Sequence, residues 1–398
     1  MPRTFQAKNR ISHERLRSVK TRLASAILLM PLVLATRMTE AQTFTVLYGF
    51  GARKDGSTPY GGLVRNAAGS LYGTTFSGGT ASAGTVFMLD PTGKETVLYN
   101  FRAGADGALP VAGLMRGAKG ELYGTTVEGG AANHGTIFKL DTMGGETVLH
   151  SFKSQDGSYP DAGLLNDTAG NLYGATLEGG TSNLGTVFKL SKTLEETVVH
   201  SFTGEADGRF PYNYGSLLRD AAGNFYGTTL AGGASNQGIV FKLDTAGKET
   251  ILHNFTGGAD GGYPYAGLVT DGKGNLYGTT YMGGASGQGT VFKVNMAGKE
   301  TVLYNFTGGA DGGNPSARLL RDQKGNLYGT TYYGGAANSG VVFKLDPTGR
   351  ETVLHSFDYA NDGGNPTARL IRDGAGNLYG TASAGGPFNG GTVFKLTP

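Results

Sequence analysis

The chain has 398 residues, 70 of them glycine, and contains neither cysteine nor tryptophan. Without cysteine it forms no disulfide, thiol nucleophile or thiolate metal site. The net charge of +3 arises in residues 1–41, which hold eight basic and two acidic residues and leave 26 basic and 29 acidic residues in the remainder. Because that remainder has no run of Lys or Arg to follow a phosphate backbone, we expect no nucleic-acid partner.

Residues 1–41 have the pattern of a signal peptide. A basic stretch precedes an apolar run at 23–35 that is too short to span a membrane, and residues 39–41 offer a cleavage site. A short membrane anchor is the alternative. We therefore expect residues 42–398 to be the mature protein, without a membrane span, secreted or in the periplasm or cell envelope.

Seven copies of one unit of about 51 residues follow this leader. The copies begin at equivalent threonines, which are Thr45, Thr96, Thr147, Thr197, Thr250, Thr301 and Thr352. A repeat of this length, sustained over the chain, is typical of propellers and other repeat folds.

Each unit contains four short runs that predict β-strands, here named a to d. In the fifth unit they are 266–271, 274–280, 289–295 and 299–306, all rich in Val, Leu, Thr, Tyr or Phe and bounded by Gly and Asp. Asp-x-x-Gly turns, such as 322–325 between strands a and b and 346–349 between strands c and d, predict tight hairpins. Each unit is therefore expected to be a four-stranded antiparallel meander.

The two ends of the repeat array predict a closed ring. The chain opens with a lone strand d at 45–50 and closes with strands a, b and c between residues 368 and 396. If the first strand completes the last unit, no sheet edge is left open between the ends. We expect an all-β, seven-bladed propeller over residues 42–398, and a monomer.

Three aromatic positions recur in every unit, and we interpret them as packing between blades. Strand b carries Tyr72, Tyr123, Tyr173, Tyr226, Tyr277, Tyr328 and Tyr379. Strand c carries Phe87, Phe138, Phe188, Phe241, Phe292, Phe343 and Phe394. Strand d carries Phe50, Phe101, Phe152, Phe202, Phe255, Phe306 and Phe357.

Two faces are distinguished by their connections. The a–b and c–d turns form what we call the turn face, and the longer, more variable b–c and d–a loops form the loop face, where function is expected. Further aromatic residues, two arginines that replace glycine and two asparagines occur in these loops. The candidate ligand-binding residues are Tyr212, Tyr214, Tyr263, Tyr265, Tyr281, Tyr332, Tyr333, Phe388, Arg318, Arg369, Asn314 and Asn365.

An Asp-Gly pair recurs in every d–a loop and is typical of a carboxylate that caps a turn. These ring aspartates are Asp55, Asp106, Asp156, Asp207, Asp260, Asp311 and Asp362. We interpret them as structural, because a calcium site would need more oxygens at each loop. The histidines of strand d share a position with tyrosines, and no motif predicts a metal site, a cofactor or a catalytic residue.

The pattern GNLYGTT, then GG, then GTVFKL, resembles the GloVer tandem-repeat family of exported bacterial proteins throughout residues 43–398. The double glycine after strand b gives a weaker resemblance to kelch propellers. The first resemblance implies export and a repeat fold, and it implies no defined activity.

The sequence favours an exported binding module that recognises carbohydrate or a cell-envelope partner through the loop face, because an uncharged aromatic rim is suited to stacking on sugars. The two arginines suit a carboxylate or sulfate of an acidic glycan. One alternative is a polysaccharide hydrolase or lyase that uses acids on that face. Another is a structural propeller that binds proteins and no small ligand.

Overall fold

The structure is a computed structural model that describes residues 42–51, 54–211 and 216–397. These residues form seven four-stranded antiparallel sheets, the blades of a seven-bladed β-propeller, as the repeat predicted. The expected signal peptide lies outside the described residues, as do Tyr212 and Tyr214. Among the residues that the structure describes, no helix is long and apolar enough to cross a membrane.

The strands follow one another in the order a, b, c, d within each blade. Blade 1 contains Val64–Arg65, Leu71–Thr75, Thr85–Leu89 and Glu95–Asn100 (β2–β5). Blade 2 contains Met115–Arg116, Leu122–Thr126, Thr136–Leu140 and Glu146–Ser151 (β6–β9). Blade 3 contains Leu165–Asn166, Leu172–Thr176, Thr186–Leu190 and Glu196–Ser201 (β10–β13). Blade 4 contains Leu218–Arg219, Phe225–Thr229, Ile239–Leu243 and Glu249–Asn254 (β14–β17).

The remaining blades repeat this pattern. Blade 5 contains Val269–Thr270, Asn275–Thr280, Thr290–Asn295 and Glu300–Asn305 (β18–β21). Blade 6 contains Leu320–Arg321, Leu327–Thr331, Val341–Leu345 and Glu351–Ser356 (β22–β25). Blade 7 contains Ile371–Arg372, Leu378–Ala382 and Thr392–Thr397 (β26–β28), with Thr43–Gly49 (β1) as its strand d.

Strand β1 closes the ring. It pairs antiparallel with β28, from Thr43 opposite Thr397 to Gly49 opposite Thr392. The sheet order β1-β28-β27-β26 therefore joins the amino-terminal strand to the last three strands of the chain. This confirms the predicted closure.

The phenylalanines of strands c and d hold neighbouring blades together. At each of the seven blade junctions, the phenylalanine after strand d of one blade meets the strand c phenylalanine of the next edge to face, with ring centroids 5.0–5.4 Å apart. Phe87 and Phe292 are fully buried. A Cβ atom on the strand b glycine Gly73 would lie 2.6 Å from the Phe87 ring, so only glycine fits beneath it.

The strand b tyrosines have a second role on the turn face. The Tyr226 hydroxyl donates to the Asp220 carboxylate at 2.9 Å, and Tyr379 donates to Asp373 at 3.0 Å. Each aspartate also accepts the backbone N–H four residues ahead in its own Asp-x-x-Gly turn. The tyrosine thus fastens the a–b turn as well as filling the space between blades.

Candidate functional site

The loop face is built on one backbone conformation that recurs in every blade. The residue before the loop-face proline has a φ of 53° to 59° in all seven blades. These residues are Thr58, Leu109, Tyr159, Phe210, Tyr263, Asn314 and Asn365. A positive φ is unusual for residues other than glycine, and sequence reasoning missed it because five of the seven are not Asn or Gly.

Hydrogen bonds to two loops hold this conformation in place. The Tyr263 N–H donates to the Gln237 carbonyl of the preceding blade at 2.8 Å, and the Tyr263 carbonyl accepts the Tyr281 N–H of its own blade at 3.0 Å. Each d–a loop therefore links two blades at the loop face. The side chains that follow are presented around the axis at equivalent positions.

Two rings of side chains define the centre of the loop face. The residue after each proline is Tyr60, Val111, Asp161, Tyr265, Ser316 or Thr367 in blades 1, 2, 3, 5, 6 and 7. The residue after each strand b is Phe76, Val127, Leu177, Leu230, Tyr281, Tyr332 or Ser383 in blades 1 to 7. The backbone at these two positions is the same in each blade, but the side chains of blades 1–3 differ from those of blades 5–7.

Blades 5 and 6 bring together several of the candidate tyrosines. The rings of Tyr265 and Tyr281 have centroids 4.7 Å apart, as do those of Tyr332 and Tyr333. Burial, followed by interaction with Tyr333, Tyr265 and Tyr332, raises the pKa of Tyr281 to about 12. The Tyr281 phenol is therefore a neutral hydrogen-bonding group at physiological pH.

Other candidates lie farther out or hold loops. Phe388 is 65% exposed on the b–c loop of blade 7, and Tyr263 is half-buried. The side-chain amides of Asn314 and Asn365 donate to the carbonyls of Tyr281 and Tyr332 at 2.9 and 3.0 Å. The amides therefore position the tyrosine-bearing loops of the preceding blades.

Arg318 and Arg369 occupy equivalent positions at the inner ends of blades 6 and 7. Arg318 donates through Nε to the Leu268 carbonyl at 3.0 Å. The Arg369 side chain lies against Gly62 of blade 1, and its Cγ atom would be 2.9 Å from a Cβ atom placed on Gly62. Burial, with a smaller contribution from Arg369, lowers the pKa of Arg318 to about 10. None of the ion pairs among the described residues includes either arginine.

The ring aspartates bond their own turns. The Asp311 carboxylate accepts the Thr307 N–H at 2.9 Å and the Tyr304 hydroxyl at 3.0 Å. In the equivalent slot of blade 6, the His355 Nε2 atom lies 2.7 Å from Asp362. Strand d therefore supplies either tyrosine or histidine as the partner of the aspartate.

Two of these slots gather three groups that are able to bind a metal. One comprises His150, Asp156 and Glu196, and the other comprises His200, Asp207 and Glu249, with ligand atoms within 4.8 Å of one another. The equivalent aspartate and glutamate also approach in blades that carry tyrosine in place of histidine. Since the slot recurs with the fold, we assign it to packing between blades.

One pocket lies on the loop face in blades 1–3. It has a volume of about 310 Å³ and is lined by Tyr60, Phe76, Val111, Val127, Tyr159, Asp161 and Leu177. Sequence reasoning overlooked Asp161, although it is the one acidic residue at the position after the proline among the described blades. That departure from the repeat was the available signal.

Clefts of about 390 and 410 Å³ also lie between blades 1, 2 and 3 on the turn face. Lysine stems, aliphatic side chains and hairpin turns line them, including Lys119, Lys192 and Leu194 in the first. They follow from the spacing of the hairpins, and no group of unsatisfied side chains is directed into them among the described residues that line them.

The seven repeated sheets define the class of the protein, a seven-bladed repeat propeller. The chain belongs to the Gloeobacter/Verrucomicrobia repeat family, whose model matches residues 34–215 and 213–398. This confirms the resemblance inferred from the repeated motifs. No curated protein is detectably similar to the chain in sequence.

Several solved structures share the fold. The extracellular domain of a one-component system from B. thetaiotaomicron is 10% identical over 88% of this chain, with a TM-score of 0.55, and the chain spans 39% of that protein's length. A Bacteroides uniformis protein described as a 6-phosphogluconolactonase is 17% identical over 79% of this chain and 88% of its own, with a TM-score of 0.52. At these identities the likeness shows the fold alone.

Proposed function

We propose that the protein is an exported binding module that holds an acidic glycan on the loop face of blades 5–7. The observation that carries this proposal is the pair Arg318 and Arg369, which stand side by side in neighbouring blades without an acidic partner among the described residues. Guanidinium groups recognise carboxylates and sulfates through paired, charge-assisted hydrogen bonds. An anion would also offset the repulsion between the two cations.

The neighbouring tyrosines supply the other half of a glycan site. Tyr265, Tyr281 and Tyr332 present half-buried rings with neutral hydroxyls, and Tyr333 is 43% exposed. Aromatic faces pack against the apolar faces of sugar rings, while the hydroxyls hydrogen-bond to sugar hydroxyls. Charge recognition and stacking thus occur on adjacent blades.

The proposal is tested by measuring binding to polygalacturonate and to the neutral polymer dextran. Wild-type protein should bind polygalacturonate and not dextran. Replacing both arginines, Arg318→Gly with Arg369→Gly, should weaken binding about tenfold or more, since each charge-assisted contact contributes about 1.5 to 3 kcal/mol. Glycine is tolerated there because blades 1, 2, 3 and 5 have Gly62, Gly113, Gly163 and Gly267.

A second variant and a charge control complete the experiment. Tyr332→Ala with Tyr333→Ala should weaken binding while the circular dichroism spectrum is kept. Lys299→Ala with Arg350→Ala removes the same charge from the turn face and should leave affinity unchanged. Failure to bind any acidic polysaccharide would refute the proposal and favour an envelope protein as the partner.

A further inference from the structure

Asp161 breaks the repeat at the position that follows the loop-face proline. The equivalent residues are Tyr60, Val111, Tyr265, Ser316 and Thr367 in the other described blades. Because blade 2 places valine there within the same backbone, the fold does not need an acid at this position.

The Asp161 side chain has no partner on any other residue that the structure describes. The residue is 3% exposed, and neither carboxylate oxygen accepts a hydrogen bond from another residue in the described part of the chain. No ion pair among the described residues includes it. Burial raises the pKa of Asp161 well above its usual range. A buried acid without a partner destabilises a fold, so a ligand is the expected reason for its presence.

The surroundings of Asp161 form a pocket suited to a small molecule. Its volume of about 310 Å³ is within the range of small-molecule sites. Three aromatic rings, those of Tyr60, Phe76 and Tyr159, line it together with two valines and a leucine. Tyr60 and Phe76 meet edge to face at 5.5 Å. The walls are thus apolar and aromatic around a single acid.

We propose that this pocket binds a small organic cation, an ammonium group on an apolar body, with the charge directed at Asp161. A carboxylate supplies the strongest hydrogen bonds to an ammonium group, and aromatic faces attract cations. The apolar body would contact Val111, Val127 and Leu177. Since both carboxylate oxygens are buried, contact with a ligand requires a neighbouring side chain to turn.

This site does not depend on the proposed glycan function. It uses blades 1–3, whereas the arginine pair and the tyrosines with which it is associated belong to blades 5–7. Binding of polygalacturonate should therefore be unchanged in Asp161 variants. If the wild-type protein binds only polygalacturonate or only the organic cation, the result shows which of the two proposals fails.

The test compares phenethylammonium with 2-phenylethanol, a neutral molecule of nearly the same shape, by isothermal titration calorimetry. The wild-type protein should bind the cation about tenfold or more tightly than the alcohol. Asp161→Asn and Asp161→Val should abolish that preference. Thr367→Val, an isosteric change at the same repeat position of blade 7, serves as the control and should keep it.

Several outcomes would overturn the proposal. They are equal affinity for cation and alcohol, no binding of either, or a preference that survives both Asp161 variants. Glucosamine, an amino sugar, should bind more weakly than phenethylammonium. Tighter binding of glucosamine would refute the proposal that the ligand has an apolar body. In the absence of ligand, Asp161→Val should raise the thermal midpoint, whereas a lower midpoint would assign Asp161 a structural role and overturn the proposal.

Discussion

The loop face of blades 1–3 and that of blades 5–7 have the same backbone and different chemistry. Blades 1–3 surround a pocket with apolar walls and one buried acid, Asp161. Blades 5–7 carry tyrosines and hydroxyl side chains together with two half-buried arginines, Arg318 and Arg369. The comparison shows that one repeated backbone carries different side chains in its two halves, because the residues after proline and after strand b vary from blade to blade.

The largest expected effect tests whether the two halves share one framework. Phe188→Ala in blade 3 and Phe343→Ala in blade 6 remove equivalent, fully buried rings. Each should lower the free energy of unfolding by about 3 to 5 kcal/mol. Chemical denaturation measures the loss, and Phe388→Ala, at an exposed ring, should leave stability unchanged. A difference of more than about 2 kcal/mol between the first two would show that the halves are not equivalent.

A second prediction concerns pH and the first residue of strand d. Burial, followed by repulsion from a ring aspartate, raises the pKa of Glu196 and Glu351 to about 7 and that of Glu249 to about 8. Glu95, Glu146 and Glu300 are raised in the same way to about 7. Between the unfolded value of 4.5 and pH 7, the folded state binds more protons, so stability falls as pH rises.

The size and sign of this pH effect are open to measurement by denaturation at pH 5.5 and pH 8. After discounting for solvent screening, each glutamate contributes on the order of 0.5 kcal/mol, or about 3 kcal/mol for six. His200 and His253 oppose it, because burial lowers their pKa values. Glu196→Gln and Glu351→Gln should reduce the pH dependence equally. Greater stability at pH 8 than at pH 5.5 would contradict the prediction.

The smallest expected effect compares the turn faces of the two halves. Tyr379→Phe in blade 7 removes a hydrogen bond to Asp373 and should cost about 1 kcal/mol. Tyr123→Phe in blade 2 is the matched control, since Gly117 occupies the position of that aspartate and the variant should be nearly neutral. Equal losses, measured by urea denaturation, would show that the tyrosine hydroxyl bond does not fasten the turn.

Strands, turns and closure could be predicted from the sequence because their signals are local and repeated seven times. Each Asp-x-x-Gly turn, each strand c phenylalanine and the orphan strand β1 are informative within their own unit. Because the same local pattern occurs in seven units, each copy independently favours the same fold. The 21 recurrent aromatics were therefore interpreted correctly as contacts between blades.

The candidate site was less predictable because it depends on where loops from different blades converge. Asn314 and Asn365 were predicted as ligand-binding residues, and the sequence did not indicate that their amides also donate to carbonyls of the preceding blade. The positive φ before each proline has no simple sequence signal when the residue is Leu109 or Phe210. Asp161 was overlooked because the sequence does not show that this loop acid is buried in the folded ring. Tyr212 and Tyr214 remain predictions outside the described residues.

The pairing of Thr43 with Thr397 sets a condition on the order of assembly. Strand β1 can pair with β28 only after the six blades that lie between them in sequence have been synthesised. Until then, strand c of each earlier blade has a TVFKL-like sequence similar to that of β28, so β1 could pair with it incorrectly. Contacts between residues far apart in sequence form slowly, because a long loop has to close first. Pairing within each meander is faster and covers each strand c with the strand d of its own blade. This order of pairing protects the chain against closing the ring one blade too early.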